Sequence, residues 1–269
     1  MNPQRRSEWQ LPPGVEPGTW EYAHRSTIAD DYDSYFADHP LFNLDESFLE
    51  ESLPAVDPDL RIQVADLGCG TGRALVPLCQ RGYEGLAVDL SLLMLAQVTA
   101  KATESSSTMR PLCANLVELQ GIRDSCVDHV LCLFSTLGMI KGAQQRESVI
   151  QHVQRILKPG GTFFLHVHNL WCNALFPGGL SWIASNGWRS LRDKKTDFGD
   201  KYYPYRGLSN MYLHVFRRRE VISLLTSNGL ALKQLTPLNS TISRPLSYPR
   251  FGATIRASGW WIVAKKPAD

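Results

Sequence analysis

Three glycines at alternate positions, Gly68, Gly70 and Gly72, follow a short apolar run that ends in Asp66-Leu67. Glycines let the backbone turn sharply and let a ligand come close to main-chain amides. The helix that follows offers its free N–H groups to the same crevice. A second acid, Asp89, closes the next apolar run, 21 residues after Gly68. A carboxylate at that place can accept both hydroxyls of a ribose. The spacing Gly-x-Gly-x-Gly departs from the dinucleotide fingerprint Gly-x-Gly-x-x-Gly. Asp66 would also set a negative charge where a pyrophosphate lies, which favours a ligand with a cationic amino group. A second chemical set stands later in the chain: His166, His168 and Asn169 end one apolar run, and His214 precedes a helix. Alternate strand residues share a face, so His166 and His168 point the same way. His168, nearer the crevice, is the first candidate for a general base, and His214 is the second.

These residues need a scaffold, and from Arg61 onward apolar runs alternate with helical periodicity. Strands are expected at Gln63–Leu67, Gly85–Asp89, Met109–Ala114, Val127–Phe134 and Thr162–His168. Helices are expected at Gly72–Arg81, Leu92–Glu104 and Gln144–Leu157, with Lys158-Pro159-Gly160-Gly161 as a turn. Arg217–Asn228 reads as a helix, and Leu230–Leu235 and Trp260–Lys265 as closing strands. Alternation of this kind predicts an α/β fold with a doubly wound, mostly parallel, Rossmann-like sheet. In such sheets ligands sit outside the carboxyl ends of the strands.

The chain divides into an N-terminal arm and helices (1–58), a ligand-binding core (59–168), an insertion or lid (169–210) and a C-terminal part of the core (211–269) carrying a second insertion at 237–258. Residues 1–24 read as an arm, loose or packed on the surface. Ser26 should cap a helix to Ala37 that Pro40 stops, and a second helix should cover Leu44–Leu53. Tyr32 and Tyr35 on the first helix either pack in the core or close over the ligand. Asp128 reads as a structural turn acid.

Composition is that of an ordinary globular protein, with 43% hydrophobic and 20% charged residues. No apolar run approaches the roughly 20 residues that span a bilayer, so a membrane partner is not expected. Met1 to Arg6 lacks the apolar stretch of a secretory signal. The six cysteines form no Cys-x-x-Cys pair, so buried reduced thiols, a cytoplasmic setting and no metal site are expected. The net charge of +2 hides an asymmetry: residues 1–186 hold 13 basic and 21 acidic side chains, residues 187–269 hold 15 and 5. An anionic partner near the C-terminal part would explain it, as would mutual packing of the halves.

The stretch Asp66-Leu67-Gly68-Cys69-Gly70-Thr71-Gly72 resembles the first motif of the class I S-adenosylmethionine-dependent methyltransferases. Gly85-Leu86-Ala87-Val88-Asp89-Leu90-Ser91, Ser91-Leu92-Leu93-Met94-Leu95, Ser125-Cys126-Val127-Asp128 and Leu157-Lys158-Pro159-Gly160-Gly161 resemble later motifs of that family, in order. The resemblance implies the seven-stranded methyltransferase sheet and S-adenosyl-L-methionine as cofactor. It implies that Asp66, Gly68, Cys69, Gly70 and Gly72 face the methionine moiety. Asp89 would bind the ribose, Leu90 would pack near the adenine, Leu116 would be a further cofactor-binding residue, and Phe134 would face cofactor and substrate. Asn115 stands where the family often has an acid that accepts from the adenine amino group; its carbonyl can still accept, without charge assistance. The acceptor is expected to be a small molecule with an O or N nucleophile, with Arg217-Arg218-Arg219, Lys194, Lys195, Arg244 and Arg250 available for an anionic group. RNA is the alternative acceptor: Tyr212 to Arg217 followed by Glu220-Val221 loosely resembles a stretch of tRNA wobble-uridine methyltransferases. A non-catalytic S-adenosylmethionine-binding protein is the alternative of another class. Oligomeric state has no sequence signal.

Overall fold

The computed structural model describes residues 6–57 and 59–268; the expectation for Met1 to Arg5 lies outside the described residues. A seven-stranded sheet runs in the order β3-β2-β1-β4-β5-β9-β8. Its strands are β1 (Gln63–Leu67), β2 (Glu84–Asp89), β3 (Met109–Cys113), β4 (Val127–Cys132), β5 (Leu157–His168), β8 (Ala231–Pro237) and β9 (Gly259–Lys265). β1 to β5 pair in parallel, and β9 is antiparallel to both β5 and β8. Because β9 lies inside the sheet, Trp260 and Trp261 face opposite cores and both are buried. That explains an apolar run without polar alternation, the mark of a strand covered on both faces.

One face is covered by α7 (Ala143–Ile156) and α9 (Arg218–Ser227), through Val149, Val153, Val221 and Leu225. The other is covered by α4 (Pro40–Ser52), α5 (Leu75–Gln80) and α6 (Leu92–Glu104), through Leu41, Leu49, Leu75, Leu78 and Val98. Asp128 accepts the Gln63 amide at 2.9 Å and both arms of its carboxylate take Lys158 Nζ, at 2.9 and 2.8 Å. It clamps the start of β1 to β5, the structural role expected of it.

Several boundaries differ from the sequence expectation, each for a local reason. The helix expected over 26–37 is two short ones, α2 (Ser26–Asp30) and α3 (Tyr32–Tyr35), broken at Asp31. Pro40 does not stop a helix but opens α4 at its first turn, where the missing N–H costs nothing, with His39 as cap. Lys158 to Gly161 lie within β5, because Leu157 already pairs with Val127 before a register shift. The arm contains α1 (Pro17–Ala23), packed on the strand Leu208–His214. The 169–210 stretch is ordered rather than a bare lid. It forms a 3-10 turn (Trp171–Leu175), helix α8 (Gly179–Arg192) and the hairpin β6 (Asp200–Tyr205)–β7 (Leu208–His214). The 237–258 stretch is tied by a Leu238–Pro245 bridge and contains α10 (Ala253–Arg256).

Candidate active site

The glycine turn is held against β2 by its own amides: Gly68 N and Cys69 N both donate to Val88 O, at 2.8 and 3.1 Å. Gly70 N donates to Asp89 Oδ2 at 2.9 Å, and Ser91 N to Asp89 Oδ1 at 2.8 Å. Main-chain amides thus fix both oxygens of Asp89, which lines the cleft. Burial raises its pKa, and the amides of Ser91, Gly70 and Leu90 oppose that rise. Gly68 and Gly70 have φ of +77° and +55°, a region that side-chain residues rarely enter. A Cβ on Gly68 would also stand 2.3 Å from Thr136 Cγ2.

Asp66 is buried at the end of β1. Desolvation lifts its pKa to about 7; Arg73 lowers it, while Asp89 and Asp45 raise it further. No hydrogen bond from a described residue supports its charged form. An ionised carboxylate kept there without donors is costly unless a cation comes to it.

The N-terminal helices roof this turn. Asp33 on α3 accepts from Thr71 Oγ1 and pairs with Lys101 Nζ, each at 2.6 Å. Arg73 reaches Asp45 on α4 at 2.7 Å and lies over the Phe42 ring at 3.7 Å. Beneath them opens a cleft of about 560 Å³, within the range of small-ligand sites. Gly68, Gly70, Asp89, Leu90, Asn115, Leu116, Phe134 and His168 all line it, so most expected site residues converge on one space. Tyr32, Tyr35 and Phe36 line it from the roof, Tyr203, Tyr205, Met211 and Leu213 from the hairpin, and Val15, Thr19 and Tyr22 from the arm and α1.

His168 closes the far end. Burial, with Lys201 and His39 nearby, lowers its pKa to about 4. Its ring is neutral at pH 7 and can accept a proton. His39, which the sequence did not single out, also lines the cleft. Its Nδ1 accepts the Leu41 amide at 3.3 Å, which leaves the proton of the neutral ring on Nε2. The rings of Phe36, Phe42 and Phe134 surround it at 5.3–5.7 Å.

Other expectations are corrected. His214 is fully buried outside the cleft lining, with Nδ1 on Asp200 Oδ1 at 2.9 Å and Nε2 on Glu220 Oε1 at 2.8 Å. Both ring nitrogens are occupied, so it ties the hairpin to α9 and is not placed as a base. His166 is buried with neither nitrogen partnered, and Asn169 donates to the carbonyls of Thr254 and Ala257. Cys69 and Gly72 are absent from the cleft lining: Cys69 packs in the core, and a Cβ on Gly72 would press Val98 on α6 at 3.2 Å. Asp66 lies behind the turn rather than on the lining. Asn115 lines the cleft, but its amide nitrogen donates to Pro13 O and its Oδ1 already accepts the Val117 amide. Cys113 is exposed rather than buried.

The basic residues named for an anionic group are not brought to this cleft, and no described Lys or Arg is among its lining residues. Asp197, Asp200 and His214 place ligand atoms within 4.8 Å of one another. Arg146 pairs with Asp197 at 2.7 Å, and Lys141 and Tyr212 reach Asp200. Their charges are thus met by protein groups.

The aromatic 169–210 insertion was expected to help build the substrate pocket, but not in the form of a hairpin. Its signal was present: Tyr203 and Tyr205 alternate ahead of Arg206-Gly207, whose φ values of +47° and +77° are those of a tight hairpin turn.

A family model for a methyltransferase domain matches residues 64–161. A Geobacillus sp. protein named as a methyltransferase, with no acceptor in its name, is 28% identical over 51% of this chain and 55% of its own length. A ubiquinone biosynthesis O-methyltransferase of Leptothrix cholodnii is 27% identical over 49% of this chain and 53% of its own. The tRNA 5-carboxymethoxyuridine methyltransferase of Escherichia coli K12 is 25% identical over 51% and 52%. The chain thus spans about half the length of the curated relatives it matches. Among solved structures, a Methanosarcina mazei protein superposes with a TM-score of 0.62 at 19% identity, covering 80% of this chain and 96% of its own.

Proposed function

We propose that the chain is a class I S-adenosylmethionine-dependent methyltransferase and that it methylates an oxygen or nitrogen of a small, mainly apolar molecule. The observation that carries this reading is the lining of the cleft. It runs from Gly68 and Asp89 to His168, is walled by Tyr22, Tyr32, Phe36, Tyr203 and Tyr205, and includes no described Lys or Arg.

The residues fit the family's cofactor. A Cβ at Gly68 would fill the turn that must admit it. Asp66 holds a buried carboxylate that lacks a donor, and Asp89 has oxygen lone pairs left after two amides. When bound, S-adenosylmethionine supplies an activated methyl group for in-line displacement. Asp89 accepts the ribose hydroxyls, and Leu90 and Leu116 pack on the adenine. Asp66 balances the amino group's charge, and the glycine turn lets the methionine moiety sit against main chain. His168, neutral above about pH 4, takes the proton of an acceptor hydroxyl. His39 offers a hydrogen-bond donor from Nε2. The aromatic roof and hairpin exclude water and orient the acceptor, which is where most of the rate gain of such a reaction arises. The free thiols suit a reducing, cytoplasmic setting.

Calorimetry with S-adenosylhomocysteine, followed by mass spectrometry of a panel of neutral phenols and amines, tests the reading. Heat and a product about 14 mass units heavier are expected. No heat from folded protein with either form of the cofactor would sink it. Heat without turnover on any acceptor class would instead favour the non-catalytic binder. Methylation of tRNA, with affinity falling steeply in salt, would replace the small-molecule acceptor by RNA.

A further inference from the structure

Helix α8 turns an apolar stripe to the outside. Leu180, Ala184, Trp188 and Leu191 are all exposed and follow the spacing i, i+4, i+8, i+11, so they lie along one face. A surface helix ordinarily sets its polar face outward. Here Leu180, Trp188 and Leu191 are 69%, 59% and 83% exposed. The helix is anchored from its other side: buried Asn186 accepts the Gly199 amide at 2.8 Å and donates to Asp200 O at 2.9 Å. The outward stripe is thus uncovered on a helix that is already docked.

The stripe has neighbours of the same kind. The 3-10 turn Trp171–Leu175 packs against both α8 and α10. Exposed Leu175 ends that turn and exposed Phe176 follows it, and the α10 segment adds Phe251 and Ile255. Cations stand in the same segments: Arg192 ends α8 beside the stripe, Arg250 precedes α10 and Arg256 ends it, while Lys194 and Lys195 line a separate cleft beside the arm. The Arg192 guanidinium lies over the Trp188 ring at 4.0 Å. Asp193 is the one acid between Asn169 and Lys195, and it is engaged by the Lys195 amide and the Thr196 hydroxyl. From Pro237 to Ala268 there is no acid at all.

This combination discriminates between occupants. A second copy of the chain would bring cations against cations. A nucleic acid would meet the cations and stack on Trp188 and Phe251, but it would leave Leu175, Leu180, Leu191 and Ile255 unpartnered. An anionic lipid surface takes both, with aliphatic and aromatic side chains at the acyl boundary and arginines at the phosphates. We propose that α8, the 3-10 turn and α10 form a peripheral docking surface for an anionic phospholipid bilayer. A run too short to span a bilayer, on which the expectation of no membrane partner rested, does not bear on a surface that lies upon one. Among the described residues no helix is long and apolar enough to cross a membrane. The 3-10 turn begins three residues after His168, so the docked face adjoins the β5 end of the cleft. Docking itself does not depend on the proposed reaction.

Sedimentation of the full chain with phosphatidylcholine vesicles, and with vesicles containing phosphatidylglycerol, tests this. Binding is expected on the anionic vesicles, weakening with salt, and little on phosphatidylcholine alone. Each cation at such a surface strengthens binding about fivefold, so the pair Arg192→Glu and Arg250→Glu should weaken it by more than about tenfold. The pair Leu180→Asp and Leu191→Asp should do the same while circular dichroism and the heat of S-adenosylhomocysteine binding stay unchanged. Any of three results overturns the proposal: no binding to anionic vesicles, binding unaffected by both pairs, or vesicle binding replaced by a dimer or a tRNA complex that the same substitutions abolish.

Discussion

Asp66→Asn separates what the β1 acid does for the ligand from what it costs the fold. In the unfolded chain the carboxyl has a pKa of 3.8, and in the fold burial lifts it to about 7. Between those values the folded state binds more protons than the unfolded chain. Stability contributed by this group therefore falls as pH rises through that window and is level above it. Each tenfold change in proton affinity corresponds to ~1.4 kcal/mol, so the ionised carboxylate at pH 8 costs the empty protein at most about 4 kcal/mol. An Asn keeps the shape and removes the charge. Its amide brings two donors that need acceptors, at a cost of ~1–3 kcal/mol if unmet, so the net gain should be on the order of 1–2 kcal/mol.

Urea unfolding of both proteins without ligand, at pH 5 and pH 8, checks the first half. The variant should be the more stable protein at pH 8, and the difference should shrink towards pH 5. Calorimetry with S-adenosylhomocysteine checks the second half: wild-type affinity should weaken as pH falls below about 7 and Asp66 protonates, and the variant should bind weakly at every pH. A variant less stable than wild type at pH 8, with undiminished affinity, would refute both the buried charge and its purpose.

Other substitutions divide along the same lines. Gly68→Ala meets both a left-handed backbone and Thr136 Cγ2 at 2.3 Å, whereas Gly70→Ala meets only the former, its nearest neighbour being Tyr32 at 3.7 Å. The first should lose ~1–3 kcal/mol more stability than the second in urea, and both should bind S-adenosylhomocysteine poorly; equal stability would remove Thr136 as the barrier. His214→Phe leaves the Asp200 carboxylate buried without its imidazole and should cost ~3–5 kcal/mol, with cofactor affinity retained. A stable His214→Phe protein that has lost turnover alone would return that residue to the chemistry. His168→Phe should lower kcat by roughly 100-fold or more while S-adenosylhomocysteine binds as in wild type. Since His168 titrates near 4, the wild-type kcat/KM profile should show no limb from it between about pH 5 and 8; an inflection near about 6.5, the ordinary histidine value, that His168→Phe abolishes would contradict the buried neutral ring.

The cofactor end of the cleft was legible because its chemistry is local. Gly68, Gly70 and Asp89 act through main-chain conformation and through two strand ends that the parallel register sets side by side, Leu67 against Val88. Periodicity alone locates such strand ends. Asp66 was named for its charge, and the structure buries it at the end of β1, off the cleft lining. The misassignments share one cause. Cys69, Gly72 and Asn169 sit at motif positions, but which way a side chain turns at a strand or loop end depends on what packs against it. The core below the turn claims Cys69, α6 claims Gly72, and the α10 segment claims Asn169. For His214 the deciding partners, Asp200 and Glu220, lie 14 residues before and 6 after it on two different elements.

The acceptor end was hidden for a stronger reason: no single segment contains it. Its walls come from α1, α3, the cap of α4, the turn after β4 and the β6–β7 hairpin, spanning Val15 to Leu213. Those segments meet through an apolar cluster of Ile28, Ala29, Met94, Leu208 and Met211, and ion pairs strap them further. Asp33 holds Lys101, Asp45 holds Arg73, and Asp31 on the loop between α2 and α3 holds Arg206 at the hairpin turn. The first two straps run from the roof to the glycine turn and α6, and the third runs from the roof to the hairpin. The acids of the N-terminal half that gave it a net negative charge are partly spent here, on the arginines and lysines of the core and hairpin. Of the fifteen basic residues beyond 187, Arg189, Arg192, Arg250 and Arg256 stand in or beside α8 and α10, off the lining of the acceptor cleft. The charge asymmetry of the sequence thus has two physical origins, internal strapping at the cleft and an outward cationic face, and only the second calls for an anionic partner.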